Sequence, residues 1–198
     1  LLAETTGDVG VKLIPRRQYG GSVWGYVYDQ ENKLLYRSVF RADQPLTFAA
    51  EAGRVYTLCI DLRSDFYRLE VTNARWGIFS NTIDAGVHFI QAATPFYFYV
   101  PKGATSFVVW LKAGPPGETA KAVVQTPTGR QIAFDCSTLT VDMQKLQAQP
   151  GEDGAFWRVD VTVGATGVLD DYYFKIVKGL APIIVLELSQ ALEVEMAQ

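Results

Sequence analysis

The sequence predicts an all-β protein of two tandem antiparallel β-sandwiches, of jelly-roll or immunoglobulin-like type, and three observations predict it. In residues 154–177, Trp157, Val159, Val161 and Val163 alternate with Arg158, Asp160 and Thr162. After a Gly- and Asp-bearing turn, Tyr172, Phe174 and Ile176 resume the period of two, which is the period of a half-buried strand. Residues 53–71 echo this hairpin, with Tyr56, Leu58, Ile60 and Leu62 alternating before a short turn at 63–65, then Tyr67, Leu69 and Val71. Gly-, Pro- and Asp-bearing turns punctuate the rest at short intervals without crossover helices, as an antiparallel sandwich requires. A chain of 198 residues, 48% hydrophobic, is long enough for one large domain or two of about 100 residues.

Taken in order, residues 9–14 are a short apolar run, and 15–21 form a turn-rich loop with Arg16, Arg17 and a glycine pair. Residues 22–28 and 34–40 flank the polar turn Asp29-Gln30-Glu31-Asn32-Lys33 as a hairpin. Residues 45–50, 54–62 and 66–71 are strands, and 75–79 closes the first half. Residues 80–93 break the rhythm and are expected to link the halves. Strands are then expected at 96–100, 106–112, 120–126, 131–134 and 183–188 besides the anchor hairpin. Residues 139–149 pattern poorly for a strand and read as a loop or a helical turn. The A/L/E-rich tail 189–196 is the other helix candidate.

Aligned on their hairpins, the halves read as a duplication. Val27 and Tyr28 match Val124 and Gln125, Tyr56 matches Trp157, Tyr67 matches Tyr172, and Ile78 matches Ile184. The spacing widens only at loops, as expected for a repeated β unit. The units are placed at 1–85 and 86–198. Only residues 1–3 stand opposite the aromatic strand 96–100, so the first unit reads as cut near its opening strand, and the chain, which starts at Leu, is expected to be a mature product or an excised piece of something longer.

The second unit carries Phe96-Tyr97-Phe98-Tyr99-Val100-Pro101-Lys102-Gly103, Val123-Val124-Gln125-Thr126-Pro127-Thr128-Gly129, Phe156-Trp157-Arg158-Val159 and Tyr173-Phe174-Lys175-Ile176. This order of strands and turns resembles the bacterial pre-peptidase C-terminal type domain and the jelly-roll carbohydrate-binding modules of secreted bacterial enzymes. The resemblance implies an extracellular or periplasmic protein with a non-catalytic accessory or interaction role, carbohydrate binding among them. The chain departs from that pattern at Thr126, where the resembled hairpin has Asp, and it lacks an acidic calcium loop. The residues themselves leave two further roles open: a structural spacer that positions a neighbouring enzyme domain, and a small glycoside hydrolase.

Composition narrows the chemistry. A net charge of -3 gives no basic footprint for nucleic acid, so no polyanion partner is expected, and no run approaches the roughly 18 apolar residues of a membrane span. Cys59 and Cys136 are too few for a disulfide framework or a metal site and are expected to be unpaired. His88, the sole histidine, would have to serve any nucleophilic triad, yet it sits in the expected linker. Asp61, Asp65, Glu70 and Asp160 are available for glycoside hydrolysis, but no pair stands out, and no enzyme is expected. No cofactor is expected either. Calcium is the one metal considered, at Asp170 and Asp171 or at Asp61 and Asp65, beside their ordinary reading as solvated turn acids.

The candidate binding feature is an aromatic row. Trp24, Tyr26 and Tyr28 share one strand face, with Val23, Gly25 and Val27 on the other. The aligned second-unit positions are Lys121, Val123 and Gln125 against Ala120, Ala122 and Val124, so the small-apolar face is expected to point inward. Three fates remain for the rings: an interface with the other unit or a neighbouring domain, the core if the faces are reversed, or a stacking platform for sugar. Trp76 and Trp110 are expected in the core.

Overall fold

The computed structural model describes residues 1–15, 23–40, 44–61, 67–81, 86–90, 94–137 and 139–194. The chain is all-β, its sheets are antiparallel, and it divides into two compact units, Leu1–Trp76 and Gly77–Gln198. Among the described residues the one helical element is the 3-10 turn Leu188–Gln190, and no helix is long and apolar enough to cross a membrane.

The first unit holds β1 (Leu2–Ala3), β2 (Gly7–Pro15), β3 (Val23–Tyr28), β4 (Leu34–Phe40), β5 (Leu46–Ala50), β6 (Thr57–Asp61), β7 (Tyr67–Thr72) and β8 (Ala74–Arg75). Two three-stranded sheets, β5-β2-β7 and β4-β3-β6, are accompanied by the β1-β8 pair. The alternating apolar residues of each central strand are buried: Val9, Val11 and Leu13 on β2, Val23 and Val27 on β3. Phe40, Leu46, Phe48, Val71 and Trp76 are buried with them. Gly25 completes the inner row of β3 because nothing larger fits. A Cβ there would stand 2.5 Å from the Phe40 ring and 2.8 Å from Leu46.

The second unit holds β9 (Ile78–Phe79), β10 (Val87–Ile90), β11 (Phe96–Val100), β12 (Ser106–Ala113), β13 (Thr119–Gln125), β14 (Gln131–Ser137), β15 (Val141–Gln147), β16 (Ala155–Thr162), β17 (Asp171–Lys178) and β18 (Ile183–Val185). A six-stranded sheet, β14-β13-β16-β11-β18-β9, and a four-stranded sheet, β10-β17-β12-β15, bury their apolar rows in one common core. Aromatic contacts stitch the layers. Phe98 meets Phe107 edge-on at 5.5 Å, Phe107 meets Trp157 at 5.1 Å, and Phe96 meets Phe174 at 4.8 Å. One pairing order occurs in both units. β5-β2-β7 corresponds to β15-β12-β17, β4-β3-β6 to β14-β13-β16, and β1-β8 to β11-β18.

Several local expectations are corrected. Residues 141–147 form an edge strand, β15, which buries only Leu146. Its remaining positions are polar or exposed, so the apolar alternation is missing. Residues 87–90, expected in a linker, pair with β17 as a second edge strand. Ile78 and Phe79, expected to close the first half, pair with β18 of the second unit. There the buried Ser80 accepts the Ile176 N–H through its hydroxyl at 3.3 Å, so the counterpart of β18 by pairing is β8. In the tail only Leu188–Gln190 turns helically, with no side-chain cap to nucleate more. Trp76 is buried as expected, whereas Trp110 is half-buried on the outer face of β12 because Phe107, Val109 and Leu111 take the inner row. The expected turn at 63–65 lies outside the described residues.

A buried charge ties two turns of the second unit together. The Glu152 side chain is fully buried and receives Arg130 Nε at 2.9 Å, Arg130 Nη2 at 2.5 Å, the Thr128 hydroxyl at 2.9 Å and the Gln149 N–H at 2.8 Å. Arg130 also donates to the Gln147 carbonyl, and the Trp157 indole N–H donates to the Glu152 carbonyl at 2.7 Å. The Arg130 guanidinium, above all, holds the Glu152 carboxyl well below the usual carboxylate range. Arg130→Met therefore strands a buried carboxylate and is expected to cost about 3–5 kcal/mol. Glu152→Gln keeps an acceptor, and Arg130, its side chain 30% exposed, can reach water, so this change costs less, about 1–3 kcal/mol. Urea unfolding of the two variants tests that order.

Candidate functional site

The site is built on β3. Because Val23, Gly25 and Val27 are buried, Trp24, Tyr26 and Tyr28 point outward, and each is half-buried on that face. This disposes of the reversed-face alternative. Pairing then decides which side chains join the row. β4 sets Val39 beside Trp24 and Arg37 beside Tyr26; β6 sets Cys59 opposite Tyr26 and Thr57 opposite Tyr28.

The register of β3 and β4 shifts between Val27 and Tyr28. The turn closes with the Asp29 N–H donating to the Lys33 carbonyl, and the Asp29 carboxylate accepts the Glu31 and Lys33 N–H groups at 3.0 and 2.8 Å. Tyr28 pairs with Leu34 but Val27 pairs with Tyr36, which leaves Leu35 as the extra residue of a bulge. A regular hairpin from this turn would have placed Tyr36 beside Tyr26. The bulge brings Arg37 there instead.

The Arg37 guanidinium lies over both rings, 4.5 Å from the Trp24 centroid and 5.5 Å from that of Tyr26. Beside it runs an open groove of about 540 Å³, lined by Trp24, Tyr36, Arg37, Ser38, Val39 and the segment 44–46. That volume lies within the range of small-ligand sites. Arg37 was missed in the sequence because its place depends on the bulge. Cys59 and Cys136 are both free, the first exposed and the second buried, where burial raises its thiol pKa.

His88, Asp170 and Asp171 belong to the second unit. His88 Nε2 lies 2.6 Å from Asp171 Oδ2, and the imidazole stacks on Tyr173 at 4.1 Å. The Asp171 N–H donates to Glu118 Oε2 at 3.0 Å, and the two carboxyl groups are hydrogen-bonded to each other. Gly114 makes room for them: a Cβ there would collide with Asp171 Oδ1 at 1.6 Å. Two carboxyls in contact share a proton. Burial and Asp171 push Glu118 up to about 7, while hydrogen bonds with Glu118 and His88 outweigh burial at Asp171 and hold it low. The cluster was not visible in the sequence, where Glu118 is an ordinary turn acid. Among the described residues, no group of three or more His, Cys, Asp or Glu side chains is arranged to hold a metal ion. No protein-family model matches the chain, and no curated protein matches it significantly.

The Glu118 shift sets a pH dependence. Its folded pKa lies above the unfolded value, so the folded state holds the extra proton between about 4.5 and about 7. Stability therefore falls as pH rises through that window and stays lowered above it. Thermal melts from pH 4.5 to 8 are expected to show this decline, and Glu118→Gln to flatten it.

Proposed function

We propose that the chain is a non-catalytic binding module of the kind secreted bacterial enzymes carry beside a catalytic domain, and that its first unit binds saccharide in the groove beside Trp24 and Arg37. The observation that carries this reading is the groove whose wall is Trp24 and whose rim is Arg37. An aromatic wall with hydrogen-bonding neighbours suits a ligand that has both apolar ring faces and hydroxyl edges. Ser38 and Gln44 supply such neighbours.

The recurring order of strand pairing supports a duplicated sandwich as the origin of the two units. On that reading the second unit is an internal control, since Lys121, Val123 and Ala133 occupy the places of Trp24, Tyr26 and Arg37. The engagement of His88 with Asp171 favours a structural role for the sole histidine.

Retention on a panel of immobilised polysaccharides tests the reading. The protein is expected to be retained on at least one, and Trp24→Ala to weaken that binding about tenfold, or about 1.4 kcal/mol, with an unchanged circular dichroism spectrum. Trp110→Ala, which alters a half-buried tryptophan of the second unit, is expected to leave retention intact. Absence of retention on every member of the panel would defeat the proposal.

A further inference from the structure

Arg37 is unlike most of the described arginines. Arg54 pairs with Glu51 at 2.8 Å, Arg68 with Glu70 at 3.8 Å, Arg130 with Glu152 at 2.5 Å and Arg158 with Asp160 at 2.8 Å. Arg37 makes no ion pair or hydrogen bond among the described residues, and it is exposed at the groove. Its contacts are with rings. A contact with ring faces uses none of the N–H donors of a guanidinium, whose planar fork matches a carboxylate. The rings also restrict the side chain in advance, so less freedom is lost when an anion arrives.

From this we infer that the ligand of the groove is an anionic saccharide, one bearing uronate carboxylates, and that Arg37 is the residue that reads the charge. The inference rests on the saccharide reading above and names its chemical class. The lining of the groove favours sugar acid over acidic peptide. Ser38, Gln44 and Tyr36 line the same groove as Arg37, and a hydroxyl, an amide and a phenol suit a hydroxyl-rich partner. The net charge of -3 gives the chain no general attraction for polyanions, so a carboxylate of either kind has to be taken through the local contact with Arg37. The corresponding second-unit positions, Lys121, Val123 and Ala133, offer neither ring nor guanidinium.

Calorimetric titration of the whole chain with polygalacturonate, alginate and hyaluronan, each against its methyl ester, tests this. Esterification removes the charge and keeps the sugar. At least one acid form is expected to bind at least tenfold more tightly than its ester, with the difference shrinking as salt is raised. Arg37→Gln is expected to abolish the preference for acid over ester. Arg37→Lys, which keeps the charge without the fork, should fall between. Equal binding of acid and ester, or a preference that survives Arg37→Gln, overturns the inference while leaving saccharide binding in place. Equal binding of poly-L-glutamate overturns it in favour of a peptide. Retention of no saccharide at all, neutral ones included, overturns both readings together.

Discussion

An extended strand sends successive side chains to opposite faces, so a hairpin that slips by one residue exchanges its core row for its solvent row. Both units live under that constraint, and each inner row satisfies it: Val23, Gly25 and Val27 on β3, Phe96, Phe98 and Val100 on β11, Tyr172, Phe174 and Ile176 on β17. In the first unit the constraint meets a bulge at Leu35, where one extra residue is absorbed just beyond the turn. Past it, Phe40 at the far end of β4 is buried above Gly25, and Arg37 comes to rest beside Tyr26. Packing on the inside and the ring–guanidinium cluster on the outside are thus consequences of one register. Gly25 joins the two, since the Leu46 side chain that excludes a larger residue there also lines the groove.

The second unit shows how the same side chain is pushed in opposite directions by its surroundings in one sandwich. Glu152 and Glu118 are both buried carboxyls, and a charge removed from water must be paired or neutralised. Glu152 meets a guanidinium and several N–H and hydroxyl donors, so the charged form wins. Glu118 meets a second carboxyl that is already bound by His88, so the neutral form is favoured. In each case the carboxyl closes a connection between distant parts of the chain. Arg130 lies 22 residues from Glu152, and Asp171 lies 53 from Glu118.

What the sequence made legible follows from the same physics. Strands with a continuous inner row announced themselves, and the free state of both cysteines matched their small number. Edge strands did not. β15 contributes only Leu146 to the core, and β10 is four residues, Val-His-Phe-Ile, with too little pattern to separate it from a linker. The outward direction of Trp24, Tyr26 and Tyr28 was readable because Val23, Gly25 and Val27 share their small-apolar character with Ala120, Ala122 and Val124 of the aligned strand. Arg37 was not, for a bulge changes the pairing without altering any hydrophobic pattern. The partnership of His88, Asp171 and Glu118 joins residues 53 and 83 positions apart, and no local spacing encodes it.

Comparison of equivalent strands separates what a sandwich needs from what it merely carries. On the inner faces of β3 and β13 the solutions are alike: Val23, Gly25 and Val27 in one, Ala120, Ala122 and Val124 in the other, small apolar residues under a packed layer. On the outer faces they diverge, with Trp24 and Tyr26 under Arg37 in the first unit and Lys121 and Val123 beside Ala133 in the second. Core packing accounts for the first likeness because any larger or polar inner residue would clash or lose its solvation. It does not account for the second. A guanidinium laid across two outward rings buries apolar surface that a solvated face could do without, and it leaves planar donors unmatched at the edge of a groove. The second unit stands without that arrangement, so what a sandwich needs for its packing does not call for it in the first.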